Sequence, residues 1–150
     1  MTPELQDALY KDFPKLFMEK DLPMTQTCMC WGCEVGDGWE PILRKVCEDL
    51  TALDLPHLRL TQVKEKYGTL TIYVNDYQDE VEDILGKAEI ASSKTCEECG
   101  KPGTINSRGY LQCLCDECRL CMGAGRTVEG GSGISIYELM FGSLKEGDNE

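Results

Sequence analysis

The residues best placed to do chemistry are cysteines. Cys96-Glu97-Glu98-Cys99 and Cys115-Asp116-Glu117-Cys118 form two C-x-x-C pairs with 15 residues between them. Two such pairs make the four-thiolate set that suits tetrahedral zinc, at about 2.3 Å from each sulfur. Gly100, directly after the first pair, permits the tight backbone turn that lets amide N–H groups approach sulfur. The insert from Lys101 to Leu114 carries turn signals at Pro102-Gly103 and Arg108-Gly109, with Tyr110-Leu111 as apolar filler, which is the layout of a zinc ribbon. Cys113 and Cys121 are alternative ligands, since Cys118-Arg119-Leu120-Cys121 is itself C-x-x-C, and an iron–sulfur cluster also takes four cysteines. The separated pairs favour structural Zn2+, because four protein thiolates leave no open position for catalysis. A module with so small a core of its own is expected to fold only with its ion bound.

The chain holds 10 cysteines. A front group, Cys28, Cys30 and Cys33, would make a second four-thiolate site if Cys47 joined it. Cys47 also falls on the apolar stripe of a helix, where a thiol behaves as a small buried hydrophobe. Cys30-x-x-Cys33 has the spacing of a redox pair but lacks a thioredoxin-like βαβ setting. No nucleophile–base set, phosphate loop, GxSxG or HExxH pattern occurs, and His57, the single histidine, stands between Pro56 and Leu58. The expectation is a protein that is not an enzyme. The acidic pairs Asp79/Glu80 and Glu82/Asp83 read as the solvated face of a helix.

The elements that must position the cysteines follow from periodicity. Leu5, Leu9 and Phe13 are four apart, on one helical face that Pro14 ends, and residues 15–27 read as a connector. Trp39, Ile42, Leu43, Val46, Cys47, Leu50 and Leu53 form a second helical stripe, with Asp37 and Glu40 fitting a capping box, Pro41 in the first turn and Pro56 as the stop. From Leu58 to Val74 the period becomes two. Arg59 to Lys66 and Thr69 to Val74 pair as a hairpin turning at Tyr67-Gly68, with a bulge between Leu60 and Val63. A third helix, capped by Asp76, carries Val81, Ile84, Leu85, Ala88 and Ala91, weakened by Gly86. The class is α+β: a small antiparallel sheet packed with two to three helices, plus a zinc-ribbon module. The division is 1–93 as the α+β core, 94–122 as the ribbon, and 123–150 as a Gly-rich stretch and acidic tail. Within that tail the apolar run Ile134 to Phe141 is expected to dock on the core or to serve as a tethered peptide for a partner.

Composition bounds the partners. Fifteen Lys+Arg against 27 Asp+Glu leave a net charge of −12, which repels phosphate backbones and excludes a binder of nucleic acid driven by its whole surface. No run approaches the roughly 20 apolar residues of a membrane helix. Met1-Thr2-Pro3-Glu4-Leu5-Gln6-Asp7 has neither the basic nor the apolar region of a signal peptide, so no membrane role and a cytoplasmic location are expected.

Trp31-Gly32, Gly36-Asp37-Gly38-Trp39, Gln62-Val63-Lys64-Glu65-Lys66-Tyr67-Gly68-Thr69-Leu70, Ala88-Glu89 and the two C-x-x-C pairs occur in one order over roughly residues 5–120. Together they resemble a family of small bacteriophage and prophage proteins with a C-terminal four-cysteine zinc ribbon. Members often carry a cysteine immediately before Gly-Asp-Gly-Trp, where this chain has Val35. The resemblance implies a phage accessory protein made in the bacterial host cytoplasm, and it brings no activity with it. The functional expectation is a protein that binds a host bacterial protein such as a defence or transcription component, with inhibition as one outcome of that binding; an acidic surface can also act as a mimic of nucleic-acid charge. The alternative is a nucleic-acid-binding zinc ribbon. Residues 94–122 balance Lys94, Lys101, Arg108 and Arg119 against Glu97, Glu98, Asp116 and Glu117, and Arg59, Lys64, Lys66 and Tyr67 offer a second local contact surface.

Overall fold

The computed structural model describes residues 1–121. The α+β class holds. Helix α1 (Pro3–Asp12) starts with a proline where no intrahelical N–H partner is needed and stops just before Phe13-Pro14. Of its expected stripe only Leu9 is fully buried. Helix α2 (Glu40–Ala52) buries Ile42, Leu43, Val46, Cys47 and Leu50, the stripe the spacing anticipates. It ends at Ala52, before Pro56.

The capping box does not form. A 3-10 turn, Asp37–Trp39, precedes α2, and no side chain caps the helix. The Asp37 carboxylate accepts the Thr2 N–H at 2.7 Å instead, and Glu40 ion-pairs with Arg44 one turn on at 2.8 Å. Arg44 also meets Asp12 at 2.7 Å, which ties the end of α1 to α2.

The stretch read as a connector contributes to the core. Leu16 and Phe17 are buried, and the Phe17 ring packs 5.0 Å from that of Tyr10. The Leu16 carbonyl accepts the Leu60 N–H at 2.8 Å, and Glu19, in a 3-10 turn at Met18–Asp21, is buried against Arg59 at 2.6 Å. Two prolines and a run of charges hide these anchors in the sequence, because Leu16 and Glu19 find their partners, Leu60 and Arg59, about forty positions away.

Strands β2 (Leu60–Lys66) and β3 (Thr69–Val74) form the hairpin in antiparallel register, with the irregularity at Leu60/Gln62. Its two-residue turn takes positive φ at both Tyr67 (54°) and Gly68 (87°), the primed geometry that matches strand twist. Leu70, Ile72 and Val74 face the core. The sheet is mixed rather than antiparallel: a two-residue strand β1 (Cys33–Glu34) adds to β2 in parallel, Cys33 opposite Val63. A strand that short leaves no periodic signal.

Helix α3 (Asp79–Ser92) covers the sheet beside α2, with Val81, Ala88 and Ala91 buried. Asp76 does not cap it; its carboxylate accepts from the Gln78 side chain at 2.9 Å, and Gln78 is the N-cap residue. At its end Ser92 Oγ accepts the Leu70 N–H and donates to Glu89 O, both at 2.7 Å, fixing α3 to the outer strand. A methyl group added at Gly86 would meet nothing within 4 Å. Gly86→Ala should therefore stabilise the fold by about 1 kcal/mol through helix propensity alone, read as a higher urea midpoint with an unchanged slope.

No helix among the described residues is long and apolar enough to cross a membrane. The apolar run at residues 134–141 lies outside the described residues.

Candidate metal centre

After α3 the chain turns into two small elements that frame the cysteines: the strand pair β4 (Thr104–Ile105) and β5 (Cys113–Leu114), antiparallel, and the short helix α4 (Asp116–Cys121). The first knuckle turns between Cys96 and Gly100. Gly100 sits at φ +80°, and its N–H donates to Cys96 O at 2.9 Å. The second knuckle joins the end of β5 to the first turn of α4, where the Cys118 N–H points at Cys115 Sγ, 3.4 Å away.

The sulfurs of Cys96, Cys99, Cys115 and Cys118 all lie within 4.8 Å of one another, and Cys99 Sγ is 3.6 Å from Cys115 Sγ. A tetrahedron with metal–sulfur bonds of about 2.3 Å has edges of about 3.8 Å, so the donor set fits a tetrahedral ion. Four thiolates this close cannot all be anionic without a cation between them. Burial and hydrogen-bonded neighbours hold Cys99 and Cys118 above the ordinary thiol range. For Cys115 burial acts upward, but the Cys118 N–H and the surrounding thiols outweigh it and bring it below that range. Cys96 is buried and Cys99 faces solvent, so the centre lies on the surface of the molecule and is anchored from beneath.

The alternative ligands are elsewhere. Cys113 is buried and points its thiol at Ser93 O, 3.3 Å away, and burial pushes it up to about 12. Cys121 is exposed at the end of α4. In the front group Cys28 is exposed, Cys30 is half-buried with its thiol at Thr27 O, and Cys33 and Cys47 are buried in the core. The structure does not gather Cys28, Cys30, Cys33 and Cys47 into a cluster; among the described residues the one group of donors close enough to hold an ion is the rear quartet. Burial pushes Cys33 up to about 12 and raises Cys47 as well, so neither is a ready thiolate.

What the sequence reading missed is how the first knuckle is held. The Gly36-Asp37-Gly38-Trp39 segment is its seat. The Gly38 N–H donates to Glu97 O at 2.7 Å, the Gly36 N–H to Glu97 Oε2 at 2.9 Å, and the buried Trp39 indole N–H to Thr95 O at 2.8 Å. Two glycines flanking one residue ahead of a tryptophan are the available signal, since that pattern permits close backbone approach. The cradle leaves Glu97 largely buried, and burial raises its carboxyl above the usual range. On the far side Gly68 at the hairpin tip abuts Ile105 of β4, so the cysteine module contacts the helix entrance through its first knuckle and the sheet through its insert.

Of the contact surface read from the sequence, Arg59 is committed to Glu19. Its charge at the strand end is paired with the segment that the sequence presents as a connector. Lys64 is half-buried beside β1, while Lys66 and Tyr67 are exposed at the hairpin tip, with Lys66 Nζ 5.9 Å from the Tyr67 ring centre. His57 is exposed.

Compared with family models, curated proteins and solved structures, the chain finds no match in any of the three.

Proposed function

We propose that the protein is a metal-stapled interaction protein in which Zn2+ is a structural ion and no reaction is catalysed. The observation that carries this reading is the closed donor set. Cys96, Cys99, Cys115 and Cys118 supply all four positions of a tetrahedron, so a bound ion keeps no site for substrate or water. The same knuckle is bonded to the entrance of α2, so the ion's effect is to rigidify a surface rather than to activate a ligand.

On this reading the protein is a phage accessory factor made in the host cytoplasm that engages a host bacterial protein. Support comes from the sequence resemblance and from the net charge of −12, which suits a basic partner surface or one that normally holds nucleic acid. Two measurements test it. Elemental analysis of the purified chain should return one zinc per molecule. Affinity capture from bacterial lysate should return one stoichiometric host protein, and its absence would remove the partner reading while leaving the metal reading intact. Titration with random DNA is expected to show weak binding at physiological salt. Tight binding that falls steeply with salt would instead favour the nucleic-acid ribbon, with Lys66 and Tyr67 at the exposed tip as its first contacts.

A further inference from the structure

We propose that Arg119 is the buried counter-cation of the metal centre, a positioning residue whose charge holds the four thiolates and their ion in place. The inference rests on the reading that the cysteine quartet binds a divalent metal. Arg119 follows Cys118 on α4 and is only 2% exposed. Its Nη2 donates to Thr104 O at 2.6 Å and to Leu114 O at 3.2 Å, the paired residues of β4 and β5, and Leu114 leads directly into Cys115. Among the described residues its Nε and Nη1 have no hydrogen-bond partner, and none of the ion pairs found there includes it.

A guanidinium does not shed its proton, so burial cannot neutralise it as it would a lysine. A buried charge without a counter-charge is strongly destabilising. The neighbouring cysteines can supply that counter-charge: four thiolates around one divalent ion carry a net charge of −2, and Cys118 is the adjacent residue. The other cation nearby, Lys101, is exposed and paired with Glu117 at 3.3 Å, which leaves Arg119 as the desolvated charge. Metal and arginine therefore complete one another. Loading the quartet supplies an anion that Arg119 does not find among the described residues, and Arg119 lowers the cost of assembling four thiolates.

The test uses the full chain with zinc as the probe, titrated against a chromophoric chelator, and then the same proteins loaded with iron. Arg119→Met should weaken zinc binding by about tenfold or more, the range typical of lost outer-shell support. Arg119→Lys, which keeps the charge but not the fork of donors, should recover at least half of that loss on a logarithmic scale. The four-thiolate iron centre is a dianion when reduced and a monoanion when oxidised. Arg119→Met should therefore shift its potential to more negative values, and Arg119→Lys should not. Should Arg119→Met not fold, Arg119→Gln, which keeps a donor for the two carbonyls without the charge, takes its place. Zinc affinity within twofold of the parent in the neutral variant would overturn the proposal. So would equal losses for lysine and the neutral variant with an unmoved potential, which would make Arg119 a carbonyl clamp alone. A parent chain that binds neither metal would overturn the metal reading itself.

Discussion

Cys99→Ser is expected to lose the equivalent of zinc that the parent chain retains through dialysis against a mild chelator, and to lower the denaturant midpoint of the whole protein. A serine hydroxyl stays protonated at neutral pH and is a poor ligand, so three thiolates remain and one position opens. Structural zinc sites are worth about 10–16 kcal/mol of apparent binding free energy, and removing one of four ligands forfeits several of them, on the order of a hundredfold or more in affinity. The consequence extends past the knuckle. Thr95 and Glu97 flank Cys96 and carry the acceptors for the Trp39 indole and the Gly38 N–H. If the knuckle loosens, two buried donors lose their partners, at about 1–3 kcal/mol each. Trp31 is 61% exposed whereas Trp39 is fully buried, so a red shift in tryptophan emission would report Trp39. Chelating the parent protein should reproduce the shift. Cys28→Ser is the control, since Cys28 is exposed and outside the quartet, and should change neither zinc content nor midpoint. A Cys99→Ser protein with one zinc and parental stability would reject the ligand set.

The cysteine quartet was legible because such a cluster is written locally. Each C-x-x-C pair is one turn, its geometry depends on a few residues, and only the meeting of the two pairs is long-range. Helix α2 and the hairpin were legible for a similar reason: apolar residues at Ile42, Leu43, Val46, Cys47 and Leu50, and alternation from Thr69 to Val74, state which face is buried whatever covers it. The bulge near Leu60 and the turn at Tyr67-Gly68 were visible as breaks in that alternation.

The sequence was silent where a residue's role depends on a distant partner. Asp37 and Asp76 have the right type and spacing to cap helices, yet a capping carboxylate is free to choose a better donor, and Thr2 and Gln78 provide one. Arg59 looked available because Glu19, its partner, sits in a segment with no periodicity. Strand β1 is two residues long and owes its existence to β2 and to Gln6, whose side-chain oxygen accepts the Cys33 N–H at 2.7 Å. Arg119 lies inside a cysteine-rich stretch where its type suggests solvent, and only the fold shows that it is buried, with two of its nitrogens unpartnered among the described residues.

Gly38→Ala is expected to destabilise the protein by about 1–5 kcal/mol, although alanine is the better helix former and Gly38 stands at the entrance of α2. Two effects oppose. Alanine restricts the unfolded chain and, at a compatible position, stabilises by about 0.4–1 kcal/mol; Gly38 is not in the positive-φ region, so its backbone presents no obstacle to that gain. Against it, the added methyl would meet Cys96 O, Gly100 N at 2.5 Å and Glu97 O at 2.6 Å. All three are backbone atoms of the first knuckle, so no side chain can rotate away. The knuckle must retreat by a large fraction of an ångström, which lengthens the 2.7 Å bond from the Gly38 N–H to Glu97 O and strains the indole bond of Trp39 to Thr95 O. Overpacking of this kind costs about 1–3 kcal/mol, and a buried donor deprived of its acceptor a further 1–3 kcal/mol, so the steric side wins. Because Cys96 and Cys99 bracket the displaced atoms, zinc affinity should fall together with stability, a coupling that a purely local helix defect would not produce. Urea unfolding with and without chelator separates the two. The loss should be large in the zinc-loaded protein and smaller once the metal is removed and the knuckle is free to move. A Gly38→Ala protein within 0.5 kcal/mol of the parent, where ordinary surface substitutions fall, would mean that the knuckle does not rest on the entrance of α2 in solution.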